Sequence, residues 1–408
     1  MKKLIILLLF LTSCTPQIEE EIIEEVVEET VEIEFYEPVE NNQANTEFMP
    51  YFEGQTRTNG IRTETEYSIT LISEGLETPW GIDVLPNGIF VITEKFGTIR
   101  LFENGTLSDK IFVTNEIETS GQGGLLDVLV SPDFESSGLI YFTLAEKTNQ
   151  GSLTAVAKAQ LSLDTKTISN FEIIYRATPY FSGNNHYGSR IVLDNDGNLF
   201  VSTGDRQSLE TRPNAQTLDN GHGKILHIDT DGNALSNNPF YTDSNAHNEI
   251  FSIGHRNIQG IAIHPLTGEL WANEMGPQGG DELNRIESGK NYGWPIISYG
   301  EEYSGSPIGN GISFKEGLEQ PVYYWDPVIA PAGMIFYNSD VIKEWENNLF
   351  IGGLKGQHIA RLLIKDNKVI GEERIVESEG QRFRDITVGL DGALYTITDS
   401  GRLYRIGK

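Results

Sequence analysis

Short apolar runs, each introduced by a turn and followed by a polar loop, recur from about residue 66 to the end of the chain. Gly, Asn, Asp and Pro in the turns, with aliphatic and aromatic residues in the runs, are typical of hairpin-linked β-strands. No stretch of this region has the periodicity of a long amphipathic helix. Six such units are found: LPNGIFVITE (85–94), SPDFESSGLIYFTLAE (131–146), DNDGNLFVSTGD (194–205), HPLTGELWANE (264–274), WENNLFIGGLKG (345–356) and GLDGALYTITD (389–399).

This repetition predicts an all-β fold, a six-bladed β-propeller that occupies residues 66–408. A β-sandwich also uses short strands, but it would not repeat the order of turn, strand and polar loop six times over most of the chain. The segment YSITLI (67–72) precedes the first full unit. We therefore expect it to supply the outer strand that closes the last blade.

The N-terminus has the pattern of a cleaved export signal. Lys2 and Lys3 precede an apolar run, LIILLLFL, that is too short to span a bilayer and that ends at Leu-Thr-Ser-Cys. Residues 1–13 are therefore predicted to be a signal peptide, and Cys14 resembles the acylated cysteine of a bacterial lipobox. We expect a membrane-anchored lipoprotein of the cell envelope, facing the periplasm or the cell exterior. The alternative is that this single cysteine stands by chance at the end of a cleaved signal; either way, the fold has no internal disulfide.

Residues 14–65 are predicted to be the lipidated cysteine followed by an acidic, flexible tether. Segment 17–40 contains eleven Glu and no Lys or Arg, so its like charges repel one another. The formal net charge of the whole protein is −29. Nucleic acid is therefore excluded as an expected partner, and any cationic pocket must be a local feature.

Charged and polar residues concentrate between residues 248 and 295. GHRN (254–257) places an Arg beside an Asn at a predicted strand end, and EMGPQGGDE (274–282) is a Gly/Pro loop with three carboxylates. Taken alone, each motif is typical of a turn with surface charges. Because the sequence between them predicts a turn and a strand, both clusters can lie at the same end of neighbouring strands, where loops on a rigid sheet form binding sites.

Eight motifs follow one another between about residue 76 and residue 408: TPWGIDVLPNG, GQGGLLDVLVSPDF, HYGSRIVLDNDGNLFVSTGDR, GHRNIQG, EMGPQGGDELN, KNYGWP, FIGGLKG and QRFRD. In this order they resemble the soluble quinoprotein aldose sugar dehydrogenases, the glucose/sorbosone dehydrogenase family. The resemblance implies a six-bladed propeller that binds pyrroloquinoline quinone (PQQ) and calcium. It also implies oxidation of an aldose at its anomeric carbon to the lactone, with transfer of the electrons to an external acceptor.

Two residues are implied to be catalytic. Removing the proton of the anomeric hydroxyl while hydride leaves requires a base of near-neutral pKa above the quinone. The resemblance assigns this role to His186 in GNNHYGSR, where Asn185 departs from the acidic residue that some members carry beside the base. It places Arg256 at the quinone carbonyl, where the positive charge would stabilise a developing oxyanion.

PQQ is planar and carries three carboxylates, so a strongly acidic protein must supply a cationic cradle for it. Because residues two apart in an extended segment point the same way, Arg382 and Arg384 can address one ligand. The positions that match the family's cofactor-binding residues are Arg256, Asn257, Lys355, Arg382 and Arg384.

Calcium accepts main-chain carbonyls as ligands. The resemblance places one ion at Gly276 and Pro277, where it would act as a Lewis acid on the cofactor. Glu282 and Tyr292 match a second, structural calcium site of the family.

The resemblance assigns Gln122 to the sugar, and Tyr303 is a candidate aromatic residue for the mouth of the site. Two other function classes remain open. One is a propeller that has lost its cofactor and serves as a binding module. The other is a lactonase-type propeller hydrolase, which would need carboxylates converging on a central metal. The Lys and Arg positions favour the dehydrogenase, because neither alternative uses them.

Overall fold

Six antiparallel sheets make up nearly all of the regular structure in the computed structural model, which describes residues 33–408. The predicted signal peptide, Cys14 and the acidic segment up to residue 32 lie outside the described residues. No helix within residues 33–408 is long and apolar enough to cross a bilayer.

The strands of this part of the chain are β1 (Ser68–Glu74), β2 (Pro79–Val84), β3 (Phe90–Glu94), β4 (Thr98–Glu103), β5 (Thr106–Leu107), β6 (Ile111–Phe112), β7 (Leu125–Val130), β8 (Leu139–Thr148), β9 (Gly151–Ser162), β10 (Thr167–Arg176), β11 (Ile191–Leu193), β12 (Leu199–Ser202) and β13 (Lys224–Ile228). They continue with β14 (Ile250–Ile253), β15 (Ile258–Ile263), β16 (Leu270–Glu274), β17 (Asp281–Ile286), β18 (Tyr323–Trp325), β19 (Pro331–Phe336), β20 (Leu349–Gly353), β21 (Ile359–Lys365), β22 (Lys368–Ile375), β23 (Phe383–Val388), β24 (Leu394–Thr398) and β25 (Arg402–Gly407). Helical structure is limited to α1 (Phe134–Ser137) and the 3-10 turns Arg212–Gln216, Lys343–Trp345 and Glu377–Glu379.

Each blade is a meander that starts at its innermost strand. Blades 1 to 5 consist of β2–β5 with β6, β7–β10, β11–β14, β15–β18 and β19–β22. The first strands of successive blades contact one another around the ring, and β23 of the sixth blade contacts β2 of the first. The prediction of a six-bladed β-propeller is therefore confirmed.

The sixth blade joins the two ends of the propeller. β1 pairs with β25 at the outer edge of the sheet formed by β23, β24 and β25, with Ser68 opposite Gly407 and Glu74 opposite Arg402. The segment YSITLI thus closes the last blade, as its position ahead of the first unit predicts.

The apolar runs recognised in the sequence become the second strands of the blades. β3, β12, β16, β20 and β24 are buried along their whole length. Such a strand packs neighbouring blades on both faces, so its sequence is nearly continuously apolar rather than alternating. Between blades 6 and 1, for example, the rings of Phe90 and Tyr395 lie with their centroids 4.2 Å apart.

Buried charges link the innermost strands. Asp127 of β7 accepts a hydrogen bond from the Ile191 N–H of β11 (3.1 Å), and Asp385 of β23 accepts one from the Ile82 N–H of β2 (2.9 Å). The guanidinium of Arg190 pairs with both carboxylates, at 3.0 and 2.8 Å. Because breaking such a triplet would leave a buried charge uncompensated, it fixes four blades relative to one another.

Residues that precede the first blade also belong to the folded unit. The N-terminal strap, defined as residues 34–66, pairs through Gly60 with Glu372 at the outer edge of blade 5, and its Gln55 is fully buried. The sequence places residues 14–65 in one flexible tether, whereas the compact unit begins at residue 34. The difference arises because side chains in the second half of this segment find partners on the blades.

Candidate functional site

Every blade contributes residues to a depression at one end of the ring. In an antiparallel meander, the segment that enters the first strand and the loop that follows the second lie at the same end of the blade. The residues of these segments that line the depression are 78–80 and 95 from blade 1, 121–122 from blade 2, 186–188 and 207 from blade 3, 256 and 275–278 from blade 4, 328, 330 and 354–355 from blade 5, and 382, 384 and 399 from blade 6.

Two adjoining cavities, of ≈ 320 and ≈ 400 Å³, make up this depression. They share Gln122, Met275 and Ala330, and together they are large enough for a small-molecule ligand. We call the smaller one the arginine cavity, because Arg382 and Arg384 line it. The larger one, the histidine cavity, brings together most of the other predicted site residues: Gln122, His186, Arg256, Gly276, Pro277, Tyr303 and Lys355.

His186 lies in a strained loop just before β11. Its φ of 48° is in the left-handed region, which costs a non-glycine residue about 1–3 kcal/mol. The buried Arg206 braces the loop by donating hydrogen bonds to the carbonyls of Gly183 (2.6 Å) and Asn185 (2.8 Å). The His186 N–H donates to the side-chain oxygen of Gln122 at 2.8 Å, which ties blade 3 to blade 2.

Asp205, which is not among the predicted site residues, orients the ring of His186. Its Oδ1 lies 2.7 Å from His186 Nδ1, and the carboxylate also accepts hydrogen bonds from the Gln207 N–H and the Trp294 Nε1–H, both at 2.8 Å. Burial raises the pKa of Asp205, but its bond with His186 and the other donors outweigh this and hold the pKa below its ordinary value. An ionised Asp205 requires the proton on Nδ1, so Nε2 is the nitrogen with a free lone pair.

The residue that orients the histidine ring therefore lies 19 positions after it, at the end of the motif STGD (202–205), and is not its sequence neighbour Asn185. Burial, together with the charge of Arg256, lowers the pKa of His186 from 6.5 to about 4, and Asp205 offsets only part of this effect. A base of near-neutral pKa was expected at this position. The structure gives a lower one, because the charged imidazole would be desolvated.

An NMR titration should show this lowered pKa directly. We expect the His186 ring to titrate near pH 4, while His247, whose hydrogen bond to Glu249 raises its pKa, titrates above 6.5. Because the unfolded chain binds the His186 proton more tightly, this group makes the fold less stable as the pH falls from 6.5 towards 4. A midpoint near 6.5 for His186 would contradict the assignment of a buried, neutral imidazole.

Arg256 faces the loop 275–280. Its Nη1 donates to the carbonyls of Met275 and Gly276, both at 2.8 Å. The main-chain N–H of Arg256 donates to the Glu274 carboxylate at 2.6 Å. Its Nε is buried and has no hydrogen-bond partner within residues 33–408. The guanidinium of Arg256 therefore keeps donor capacity for a ligand, while the carbonyl of Gly276, a predicted calcium ligand, already contacts a cation.

Arg382 and Arg384 point to the same side of their segment, as expected of residues two apart. Their Nε atoms bind the carboxylate of Asp399, at 2.7 and 2.8 Å. Lys95 lines the same cavity, and Lys355 lines the histidine cavity. With Arg256, five cations surround the depression of a protein whose net charge is −29.

Asn257 and Tyr303 lie at opposite extremes of burial. Asn257 is 1% exposed and lines neither cavity; its Oδ1 accepts a hydrogen bond from the Gly188 N–H at 3.1 Å. Asn257 thus supports the loop that carries His186, and its predicted contact with the cofactor stays a prediction. Tyr303 is 69% exposed and lies at the edge of the histidine cavity, as expected.

Glu282 and Tyr292 line a third, smaller cavity, which they share with Glu274. Burial and the charge of Glu274 raise the pKa of Glu282 well above its ordinary value. The side-chain amide of Asn284 donates to both carboxylates, at 3.3 and 3.2 Å. The Tyr292 hydroxyl donates to the Arg285 carbonyl at 2.7 Å. The main-chain oxygen of Tyr292 is therefore the atom of this residue that is left for a metal.

Within residues 33–408, no group of three or more His, Cys, Asp or Glu side chains is arranged to hold a metal ion. A hydrolase that activates water on a central metal would need such a group. The predicted calcium site at Gly276 and Pro277 does not, because it relies on main-chain carbonyls.

Comparison with known proteins points in one direction. The family model described as Glucose / Sorbosone dehydrogenase matches residues 76–405. The aldose sugar dehydrogenase YliI of Escherichia coli (strain K12) is 39% identical over 345 residues, which are 83% of this chain and 92% of the relative. Quinoprotein glucose dehydrogenase B of Acinetobacter calcoaceticus is 25% identical over 402 residues, 79% of this chain and 82% of that protein.

The solved structures give the same result. The crystal structure of the soluble aldose sugar dehydrogenase from Escherichia coli in the apo-form superposes with a TM-score of 0.79 at 38% sequence identity. The match covers 84% of this chain and 99% of that one.

Proposed function

This chain belongs to the Glucose / Sorbosone dehydrogenase family, and from that premise we propose that it is a PQQ-dependent aldose dehydrogenase. As a family member it is an oxidoreductase that acts on a sugar CH–OH group. The proposal adds that it oxidises the anomeric carbon to the lactone and passes the electrons to an external acceptor. One observation supports it most strongly: an imidazole with an available Nε2 shares a depression with five cations.

His186 would accept the proton of the anomeric hydroxyl through Nε2. Asp205 would keep the other ring proton on Nδ1 and would stabilise the imidazolium as it forms. Both side chains are buried, so bulk water has little access to the proton that moves. The strained loop and the brace from Arg206 keep the ring in one orientation, which is the main contribution of this chain to the chemical step.

PQQ would lie across the two cavities, where the cations match its carboxylates. When bound, the quinone supplies the acceptor for the hydride that leaves the anomeric carbon. The guanidinium of Arg256, which lines the histidine cavity, would donate a hydrogen bond to the quinone, and Asn257 would hydrogen-bond its edge. The residues that would hold its carboxylates are Lys355, Arg382 and Arg384.

Calcium would bind the carbonyls of Gly276 and Pro277, the hard oxygen donors that it prefers. The Gly276 carbonyl already accepts a hydrogen bond from Arg256 Nη1, and because a carbonyl oxygen has two lone pairs, it would bind the ion beside that donor or in its place. A second calcium, at Glu282 and the main-chain oxygen of Tyr292, would relieve the repulsion between neighbouring buried carboxylates.

The aldose would enter past Tyr303, whose ring can stack on a sugar, and would meet the side chain of Gln122. Because Gln122 also accepts the His186 N–H, it would couple the position of the sugar to that of the base.

Titrating PQQ into the purified apoprotein with calcium tests this proposal. We expect the absorbance of bound quinone to appear and an added aldose to bleach it, whereas a chelator added beforehand should weaken the binding. A binding module would take up sugar without the quinone signal, and a lactonase-type hydrolase would open lactones without any quinone. Failure of PQQ to bind in the presence of calcium would refute the proposal.

The location of the enzyme is a separate proposal, carried by Cys14 in the part of the chain that precedes the described residues. Lipoprotein processing would attach several acyl chains, which stable anchoring requires, and repulsion between the acidic segment and anionic lipid would hold the propeller away from the membrane. Cys14→Ser should release soluble, active protein into the periplasm or medium, as measured by fractionation. If the variant stays with the membranes as the parent does, the lipoprotein assignment is wrong.

A further inference from the structure

The N-terminal strap reaches the histidine cavity. Asn45, which belongs to the strap, lines this cavity together with Gln122, His186 and Tyr303. The family match begins only at residue 76. The strap therefore brings a residue to the candidate site from outside the region on which the family assignment rests.

Asp326 anchors the strap at this point. Its Oδ1 accepts the Asn45 N–H at 2.6 Å, and its Oδ2 accepts the N–H and the hydroxyl of Thr46, at 3.0 and 2.7 Å. The Thr46 methyl packs closely on Gly279: a Cβ added to this glycine would lie 2.9 Å from it. The backbone of Asn45 is thus fixed to Asp326, and its neighbour Thr46 lies against Gly279, by contacts that do not use the Asn45 side chain.

Arg57 closes the strap around this anchor. Its guanidinium donates to the carbonyls of Asp326 (2.8 Å), Asn42 (2.7 Å) and Glu40 (3.1 Å). This part of the strap is therefore ordered before any ligand arrives, and binding would not have to supply the entropy of ordering it.

The side-chain amide of Asn45 is left available for a ligand. Its Oδ1 is buried, yet it accepts no hydrogen bond from any residue of 33–408. A buried acceptor without a partner is costly, and because Asn45 lines the cavity, a bound ligand is a group that would offset this cost. The chemistry of the neighbours indicates the ligand, because the same cavity also contains the side-chain amides of Gln122, Gln207 and Gln278.

Amides both donate and accept hydrogen bonds, as sugar hydroxyls require, whereas a carboxylate is best met by a cation. We infer that Asn45 binds a hydroxyl group of the aldose, so that the strap completes the sugar subsite and contributes to its selectivity. This inference rests on the proposed function and names a further residue of the same site.

Steady-state kinetics of the full chain loaded with PQQ and calcium test the inference. Asn45→Ala keeps the N–H that binds Asp326, so we expect an unchanged melting temperature and quinone titration. KM for the preferred aldose should rise about 5- to 10-fold, the effect of losing one neutral hydrogen bond, with little change in kcat. The parent should disfavour one monodeoxy aldose by a similar factor, and that discrimination should disappear in the variant.

Asn42→Ala is the matched control, because this exposed strap residue lines neither cavity. Asn45→Leu keeps nearly the volume of the side chain but lacks the acceptor oxygen, and it should lose the same discrimination. Unchanged KM values and unchanged deoxy-sugar discrimination in both Asn45 variants would overturn the inference. So would a parallel loss of quinone affinity, since that would indicate a structural role. A parent that binds no PQQ or oxidises no aldose would instead refute the proposed function.

Discussion

Replacing His186 by alanine should lower kcat by about 10²-fold or more while PQQ still binds, because general-base catalysis contributes on this scale. Nε2 is the free nitrogen of a ring whose Nδ1 is engaged by Asp205, and alanine removes this base without removing a cation from the cradle. Turnover of the loaded enzyme with an artificial electron acceptor, together with a quinone titration, measures both effects. The acid limb of kcat/KM in the parent should lie near pH 4, since activity is lost as His186 becomes protonated.

His247→Ala is the control for this experiment, because His247 is half-buried, pairs with Glu249 and lines neither cavity. It removes an imidazole from the same protein without touching the site. Near-normal turnover in His186→Ala would show that another group takes the proton. Loss of quinone binding in that variant would show that His186 acts mainly in shaping the cavity.

Removing both arginines of the arginine cavity should weaken quinone binding far more than it weakens the fold. Each charge-assisted contact contributes about 1.5 to 3 kcal/mol, so Arg382→Ala with Arg384→Ala should lower the affinity for PQQ by roughly two to four orders of magnitude. In the free protein both guanidiniums share Asp399 and remain partly accessible, so their loss leaves one carboxylate that solvent can reach. Quinone titration and thermal unfolding measure the two effects separately.

Arg402→Ala combined with Arg405→Ala provides the matched control. These arginines belong to the same blade, also pair with carboxylates, and lie away from both cavities. The control variant removes the same charge, so it separates contact with the ligand from a general change in electrostatic potential. Equal quinone affinity in the test variant and the parent would mean that the cradle lies elsewhere.

The fold could be predicted from the sequence because the strand pairings that define each blade join segments that are close together in the chain. Each blade forms from consecutive strands, and the fully buried second strands, such as β3 and β24, appear in the sequence as apolar runs after recognisable turns. The closing strand could be predicted because a strand signal stood unpaired ahead of the first unit. The strap could not, since its contacts with Asp326 and Glu372 join residues far apart in sequence.

Only some contacts of the candidate site could be predicted, again because local sequence patterns do not show which distant residues meet. Arg382 and Arg384 share a direction that follows from their spacing alone, and the structure places them together. Asp205 was missed because its role depends on two loops that meet in space, and the sequence directs attention to Asn185, the neighbour of the histidine. The hydrogen bond from the Gly188 N–H to Asn257 Oδ1 could not be predicted either, because no local pattern reveals it.

The pairing of β1 with β25 closes the ring of blades, because it joins the first and the last strand of the propeller. The Ser68 hydroxyl binds the Gly407 carbonyl across 339 positions of the chain, and joining segments so far apart costs about 5 kcal/mol of chain entropy on the logarithmic rule for loop closure. Blades 1 to 5 can form as each meander is synthesised, whereas β1, made first, must wait for the last strand. Contacts that form after the rate-limiting step slow unfolding and leave the folding rate almost unchanged. We therefore expect that weakening the pairing of β1 with β25 speeds the opening of a completed ring more than it slows the formation of the blades.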